Sequence, residues 1–284
     1  MASSVPTRDP EFLPPEAGSD APPPAASRPR PSWAYAPATY LLVGVNCLVY
    51  LAMDAHHVSA VAPTLDQLMY WGADNAGSVL VAGQWWRIVT AMFVHVGILH
   101  LATNMWCLWN LGLLAEPLMG SLGLLAAYLL TGAAGNLLST LVNWSKYYPD
   151  WMITHNLGSF PAGAGASGAV FGIAGALIVL LKSQRLPVPA PELRRLRKSV
   201  IYFAAINLVI GFTISLGFIV RHTGISIDNM AHLGGFSCGL LLASPMVPRI
   251  GSSRPLFTRR LRLSLGMVMG LLALFAFFLA QLPR

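Results

Sequence analysis

The stretch GAGASGAVFGIAG at residues 163–175 combines glycines, small apolar residues and a single hydroxyl group, that of Ser167. It opens an apolar run that continues to Leu181. Glycine at this density is typical of a tight backbone turn or of membrane helices that approach each other closely. A lone serine in such a helix usually donates a hydrogen bond to a backbone carbonyl. A serine that directly follows a glycine-rich turn is also a candidate nucleophile.

The composition indicates a membrane protein. Hydrophobic residues make up 55% of the 284 residues and charged residues only 10%, whereas soluble domains carry about 25% charged residues. Apolar runs near membrane-spanning length recur along the chain. The seven predicted spans cover residues 39–53, 98–118, 122–142, 168–181, 200–220, 230–247 and 263–279. We therefore predict an all-α polytopic membrane protein.

Two segments outside these spans have distinct compositions. Residues 1–37 are rich in Pro, Ala and Ser, which predicts a disordered tail. Residues 54–96 are amphipathic and contain Trp71, Trp85 and Trp86. Tryptophan favours the depth of the membrane–water interface, so this segment is predicted to be an interfacial loop.

The distribution of positive charge predicts the orientation in the membrane. With the N-terminal tail in the cytoplasm, fourteen of the 18 Lys and Arg residues lie on the cytoplasmic side, mostly in residues 182–198 and 249–262. The positive-inside rule therefore favours a cytoplasmic N-terminus and an external C-terminus. This also accounts for the net charge of +7 without a nucleic-acid partner. We expect the membrane to be a bacterial plasma membrane, with an organelle as the alternative.

Four polar side chains fall near the outer ends of the second, fourth and sixth predicted spans. They are His100 and Asn104, Ser167, and His232, respectively. Polar groups inside a membrane are costly, so each indicates a functional site. These three spans all run from outside to inside, which predicts that the four side chains share one depth just below the outer surface. The i, i+4 spacing places His100 and Asn104 on one helical face.

Glycine spacing predicts which helices touch. Two pairs of glycines lie four residues apart: Gly168 and Gly172 in the fourth span, and Gly235 and Gly239 in the sixth. Such pairs let helix backbones approach closely in lipid. The pair in the sixth span lies on the face of His232, so we predict that the two spans pack together and bring the Ser167 hydroxyl to His232.

This juxtaposition predicts nucleophilic chemistry. A serine hydroxyl needs a neighbouring base to take its proton, and His232 is placed to act as that base and later as the acid that protonates a leaving amine. The backbone N–H of Ser167, together with His100 and Asn104, could donate hydrogen bonds to the oxyanion.

Other residues are predicted to support the site. Gly165 would let the backbone turn and approach the substrate. Phe171 could stack on the ring of His232 and orient it, since no third triad carboxylate is evident. Asp228 is predicted to cap the sixth helix. Three further polar residues are predicted to make structural ties: Arg87, His95 and Glu116.

Four short motifs occur along the chain in the order Trp86–Arg87, HLATN at 100–104, GASG at 165–168 and AHLGG at 231–235. In this combination the chain resembles the rhomboid family of intramembrane serine proteases. The resemblance implies a core of six transmembrane helices within residues 38–248. It also implies a basic loop and a seventh transmembrane helix in residues 249–284, and a gate and cover formed by the fifth helix and the loop at 221–229.

The resemblance further implies the activity. A rhomboid protease is a serine-type endopeptidase, here with Ser167 and His232 as the catalytic dyad and His100 and Asn104 stabilising the oxyanion. The implied substrates are single-pass transmembrane proteins, cut within the lipid bilayer near its outer face. No metal, cofactor or nucleic acid is expected.

Two other functions are compatible with part of the pattern. A non-proteolytic rhomboid-like protein would bind membrane helices, although such relatives typically lack the catalytic Ser or His. A transporter with a histidine relay or metal site would distribute ionisable residues across the membrane, whereas here they cluster at one depth. A site made of histidine alone would also lack the usual carboxylate or thiolate ligands of zinc.

Overall fold

The computed structural model of the protein describes residues 36–183, 186, 188–215, 228–249 and 253–283. The predicted N-terminal tail, up to residue 35, lies outside the described residues. So do residues 216–220 of the fifth predicted span and residues 221–227 of the predicted cover.

The described residues form α-helices, short 3-10 turns and one pair of very short strands. In chain order the helices are α1 (Pro37–Ala55), α2 (Leu65–Tyr70), α3 (Ala76–Leu80), α4 (Arg87–Thr90), α5 (Ile98–Met119), α6 (Ser121–Thr154), α7 (Ser167–Leu180), α8 (Ala190–Ser215), α9 (Asn229–Ala243) and α10 (Arg254–Ala280). The 3-10 turns are Ala91–Phe93, Leu157–Ser159 and Ser244–Arg249. The strands β1 (Asp74–Asn75) and β2 (Ala162–Gly163) pair in antiparallel fashion.

Among the described residues, five helices are long and apolar enough to cross a membrane, which confirms a multi-pass membrane protein. They are α1, α5, α6, α9 together with the turn that follows it, and α10. Helix α7 is apolar but has only 14 residues, or about 21 Å of length, against a hydrocarbon core of about 30 Å. Helix α8 begins at Ala190, ten residues before the predicted span. The basic segment that precedes the span is therefore part of the same helix.

Helix α6 extends beyond its predicted end at residue 142 to Thr154. Aromatic packing explains the extension. Trp144 stacks on Phe160 with 5.4 Å between ring centroids, and Trp151 packs against Trp144 at 5.8 Å. The segment that follows α6 thus packs back against the last turns of this helix. It gives them apolar partners beyond the part of α6 that is predicted to cross the membrane.

Residues 54–96 contain short helices and a strand, so the predicted description as a loop was incomplete. Arg87 organises this region: its Nη1 donates to the carbonyl oxygens of Met69 and Ala73, both at 2.7 Å, and its guanidinium lies 4.4 Å from the centroid of the Trp86 ring. These contacts confirm the predicted structural role of Arg87. Through β1 and β2 the region also pairs with the segment that precedes α7.

Helix α7 lies at the centre of the fold and packs mainly against α9 and α6. It is buried on every side from residue 168 to residue 177, as expected for a helix that is apolar all round. A Cβ added at Gly235 would collide with the carbonyl oxygen of Gly168, and one at Gly239 with that of Gly172. The predicted glycine contact between these two helices is therefore confirmed.

Glu116, near the end of α5, holds the first turn of α1. Its carboxylate accepts hydrogen bonds from the backbone N–H groups of Ala38 (2.9 Å) and Thr39 (2.8 Å) and from the hydroxyls of Thr39 (2.7 Å) and Ser121 (2.6 Å). Helix α1 has no side-chain cap of its own, so Glu116 satisfies N–H groups that would otherwise lack partners. This confirms Glu116 as a structural tie.

Replacing Glu116 by glutamine should lower the free energy of unfolding by about 1–3 kcal/mol. The carboxylate now accepts four hydrogen bonds. The NH₂ group of a glutamine amide cannot accept, so it would face some of these donors without forming a bond. Thermal unfolding in detergent measures the effect. Glu192→Gln, which removes the same charge from an exposed position on α8, should shift the midpoint far less; equal shifts for the two variants would contradict the capping role.

Candidate active site

A glycine-dependent turn places Ser167 at the start of α7. Gly165 has φ +127°, a left-handed conformation that favours glycine, and its N–H donates to the carbonyl oxygen of Ala91 at 2.9 Å. A Cβ at Gly165 would come within 2.6 Å of Cε1 of His100. The turn therefore needs glycine both for its conformation and for the close approach of His100. Ser167 itself is half-buried.

His232 lies in the first turn of α9, and Asp228 caps this helix as predicted. The Asp228 carboxylate accepts from the backbone N–H of Ala231 at 2.9 Å. The side chain of His232 is buried, and its Nε2 lies 2.8 Å from Ser167 Oγ. Phe171 stacks on the imidazole with 4.3 Å between centroids and 13° between planes. The structure thus brings together the predicted serine and histidine and confirms the predicted stacking.

Among the described residues, no carboxylate forms a hydrogen bond with the other imidazole nitrogen of His232. Within the described part of the chain, Nδ1 of His232 is buried and makes no hydrogen bond. Asp228, although four residues away on the same element, uses its carboxylate on the helix end and on Ser139. The contacts that orient the ring are therefore the serine hydroxyl at one edge and the face of Phe171.

His100 and Asn104 both lie on α5, one turn apart. The Asn104 side chain is buried, and its amide donates one hydrogen to the carbonyl oxygen of His100 at 2.9 Å. A primary amide has two hydrogens, so one remains for another acceptor. The ring of His100 reaches the Gly165 turn, as its short distance from a Cβ built at Gly165 shows. His100 is therefore beside the segment that leads into Ser167, and Asn104 follows on the same face of α5.

His95 makes the structural hydrogen bond predicted for it. It is fully buried, Nε2 accepts from the backbone N–H of Ala166 at 3.4 Å, and Nδ1 lies 3.3 Å from the carbonyl oxygen of Phe93. Burial lowers the pKa of His95 to about 3, so the ring is neutral and can accept at Nε2. The N–H of Ser167, one residue further on, belongs to the first turn of α7 and has no acceptor within that helix.

Sequence reasoning missed a second polar cluster behind the turn. Asp228 accepts a hydrogen bond from the hydroxyl of Ser139 on α6, and Asp74 on β1 lies next to Gly163. Burial raises the pKa of Asp74 well above its usual range, and the charge of Asp228 adds to this shift. The only sequence signal is that each aspartate follows a small or apolar residue and precedes an asparagine, which by itself indicates no site.

In this multi-pass membrane protein, a serine and a histidine are in hydrogen-bonding contact between packed apolar helices. These are the chemical groups of a serine hydrolase. The Rhomboid domain family model matches residues 82–249. The chain belongs to the rhomboid family. The matched region runs from before α4 to the 3-10 turn after α9, and α10 follows it as an additional helix.

Comparison with curated proteins gives relatives with the same family name. The chain is 31% identical to "Rhomboid protease GluP" of Bacillus subtilis (strain 168) over 75% of its own length and 36% of the relative. It is 30% identical to "Rhomboid protease AarA" of Providencia stuartii over 72% of this chain and 70% of the relative. It is 31% identical to "RHOMBOID-like protein 1" of Arabidopsis thaliana over 64% of this chain and 40% of the relative. The chain thus spans little more than a third of GluP and most of AarA.

Proposed function

We propose that this protein is an intramembrane serine endopeptidase with Ser167 as nucleophile and His232 as general base. The observation that carries the proposal is the 2.8 Å contact between Ser167 Oγ and His232 Nε2 at the adjacent ends of two packed apolar helices. Membership of the rhomboid family and two relatives named as rhomboid proteases support it.

The reaction proceeds through an ester on Ser167. His232 Nε2 takes the hydroxyl proton as the oxygen attacks the carbonyl carbon of the scissile peptide bond. The same nitrogen then gives that proton to the leaving nitrogen, the C–N bond breaks and the acyl group stays on the serine. A water molecule, deprotonated by His232, hydrolyses the ester and restores the serine hydroxyl. Phe171 keeps the imidazole in one plane through both steps.

The oxyanion of each tetrahedral intermediate needs donors that are already in position. We assign this role to the backbone N–H of Ser167, the side chain of His100 and the free amide hydrogen of Asn104. His95 contributes indirectly, because its bond to Ala166 N–H fixes the turn from which the Ser167 N–H projects. Donors of this type contribute about 2.7–4 kcal/mol each to lowering the barrier.

The shortness of α7 suggests where the substrate is cut. A helix of 14 residues is about 9 Å shorter than the hydrocarbon core, so its ends do not both reach the membrane surfaces. We place the Ser167 end of α7 below the outer surface, so that a peptide bond of the substrate that reaches Ser167 also lies below it. Such a bond must also leave the helical hydrogen-bond pattern, which is least costly near the end of a transmembrane helix. Single-pass transmembrane proteins are accordingly the proposed substrates.

The cleavage side follows from the proposed orientation. The Ser167–His232 contact lies at the N-terminal ends of α7 and α9, while the Lys and Arg residues concentrate in residues 182–198 and 249–262, beyond the opposite ends of these helices. The positive-inside rule assigns the basic side to the cytoplasm and the site to the outer half of the membrane. We propose a cytoplasmic N-terminus in a bacterial plasma membrane.

A serine-directed fluorophosphonate tests the activated nucleophile without knowledge of the substrate. We expect covalent labelling at Ser167, located by peptide mass, and its loss in both Ser167→Ala and His232→Ala. The matched control is Ser145→Ala, which removes an exposed serine of α6 and should label like the wild type. Labelling that does not depend on His232 would contradict the dyad. A folded protein that does not label would instead favour a non-proteolytic, helix-binding function.

A further inference from the structure

We propose that Asp74 and Asp228 share one proton and act as a positioning pair, which ties the strand leading to Ser167 to the first turn of the helix carrying His232. Neither carboxyl group touches the catalytic atoms. The inference rests on the proposed function, since it concerns how Ser167 and His232 are held together.

The two carboxyl groups belong to different parts of the site. Asp228 joins α9 to α6, because it accepts from the N–H of Ala231 and from the hydroxyl of Ser139. Asp74 belongs to the turn on the serine side: it is opposite Gly163 in the β1–β2 pair, and its side chain accepts from the Gly163 N–H. A link between the two aspartates is therefore a link between the serine side and the histidine side.

Both carboxyl groups lie beside Gly163. A Cβ at that position would collide with an oxygen of the Asp74 carboxyl group and would lie 3.6 Å from Oδ2 of Asp228. Glycine is thus required here because the Asp74 carboxyl group occupies the space that a side chain would need, while Asp228 Oδ2 lies at ordinary contact distance from the same point. Asp74 is 4% exposed and Asp228 is half-buried, so little solvent reaches the space beside Gly163.

Among the residues that the structure describes, the negative charge of the pair is compensated only in part. Arg87 on α4 is the positive group that acts on Asp74, but its Nη1 is bound to the carbonyl oxygens of Met69 and Ala73. The partner from α6, Ser139, is neutral, and the titratable group on α9, His232, has its Nε2 on Ser167. Two ionised carboxylates would therefore repel each other in a buried setting.

A single proton removes this repulsion and creates a hydrogen bond between the carboxyl groups. Burial raises the pKa of Asp74 and of Asp228, which agrees with one proton being retained by the pair. A raised carboxyl pKa in the folded state gives a stabilising effect that is complete at acidic pH and is lost as the pH rises through that pKa. The tie between β2 and α9 should accordingly weaken at alkaline pH.

Asp74→Asn tests the shared proton. The amide keeps an oxygen for the Gly163 N–H and offers a permanent N–H to Asp228, in place of the titrating proton. We would measure the thermal unfolding midpoint and the rate of phosphonate labelling from about pH 6 to about pH 9, a range above the usual aspartate pKa. The wild-type midpoint should fall across this range relative to that of the variant. The ratio of labelling rates, variant to wild type, should rise by up to about tenfold per pH unit above the pKa of the pair.

Two controls separate charge from structure. Asp150→Asn removes the same charge from an exposed position on α6 and should follow the wild-type pH dependence. Asp228→Asn repeats the test from the other side, since asparagine also caps helices well; it serves in place of Asp74→Asn if that variant does not fold. An aspartate variant that lowers the midpoint equally at every pH would overturn the proposal.

The two readouts distinguish this inference from the proposed function. The unfolding midpoint does not depend on catalysis. A pH-dependent difference in midpoint without labelling of the wild type would support the aspartate pair and contradict the enzyme. Labelling that depends on His232, with no pH-dependent difference in midpoint or labelling rate between Asp74→Asn and wild type, would support the enzyme and overturn the pair.

Discussion

Ser167→Ala should abolish cleavage of a single-pass transmembrane substrate, with a loss in kcat of about 10⁶-fold. The substitution removes the nucleophile and its contact with His232, while the oxyanion donors and the backbone remain. Its methyl group fits the space of the serine side chain, so the thermal unfolding midpoint should stay close to that of the wild type. The measurement is product formation after co-reconstitution of protein and substrate in proteoliposomes.

His232→Ala provides the internal comparison for that experiment. Because the serine and the histidine act as one unit, the double variant should be about as slow as either single variant, rather than slower by the product of the two losses. Full activity in Ser167→Ala would exclude the proposed nucleophile. Losses that multiply in the double variant would show that the two residues act in separate steps.

The main parts of the site can be predicted from the sequence because a membrane makes polar groups conspicuous. Ser167 and His232 stand out against apolar neighbours, and a polar side chain at such a depth needs a reason. The spacing of Gly235 and Gly239 then indicates the packed face of the histidine helix, and the structure confirms its contact with Gly168. The i, i+4 relation of His100 to Asn104 gives their common face in the same way.

Other features of the fold depend on contacts that no local pattern records. The pairing of Asp74 with Gly163 joins two loops that lie far apart in the chain, and two-residue strands have no recognisable period. The end of α6 is set by the stacking of Trp144 on Phe160, which comes from the returning chain. Helix periodicity within one segment carries no information about either contact.

For the ionisable groups too, some features could be predicted from the sequence and others could not. Glu116 and Arg87 could be predicted to need partners, because charge near a membrane is costly without one. The identity of those partners could not be predicted, since they are mostly backbone groups exposed by the start of α1 and by the turns around Met69. For Asp228, the cap was predictable from its place before a helix, whereas its neighbour Asp74 was not.

Gly239→Ala is expected to lower activity by about 100-fold, the loss that a displacement of about 1 Å can cause in an active site. The new Cβ would lie against the carbonyl oxygen of Gly172 and 3.0 Å from the backbone nitrogen of Ala176. Backbone atoms of a buried helix cannot rotate away as a flexible side chain can, so α7 and α9 must move apart. Ser167 and His232 lie at one end of this interface, and their contact should lengthen with it. The assay is cleavage in proteoliposomes, together with the thermal unfolding midpoint.

Gly266→Ala is the matched control, because it makes the same chemical change in α10 at a glycine whose added Cβ meets no described atom within 4 Å apart from its own helix backbone. Alanine is favoured over glycine in a helix by about 1 kcal/mol, so intrinsic propensity should stabilise both variants equally. A lower midpoint for Gly239→Ala therefore reports the collision alone. Wild-type activity and stability in Gly239→Ala would mean that the close approach of α7 and α9 does not hold the serine against the histidine. A loss confined to Gly239→Ala would tie the spacing of these backbones directly to the chemistry of Ser167.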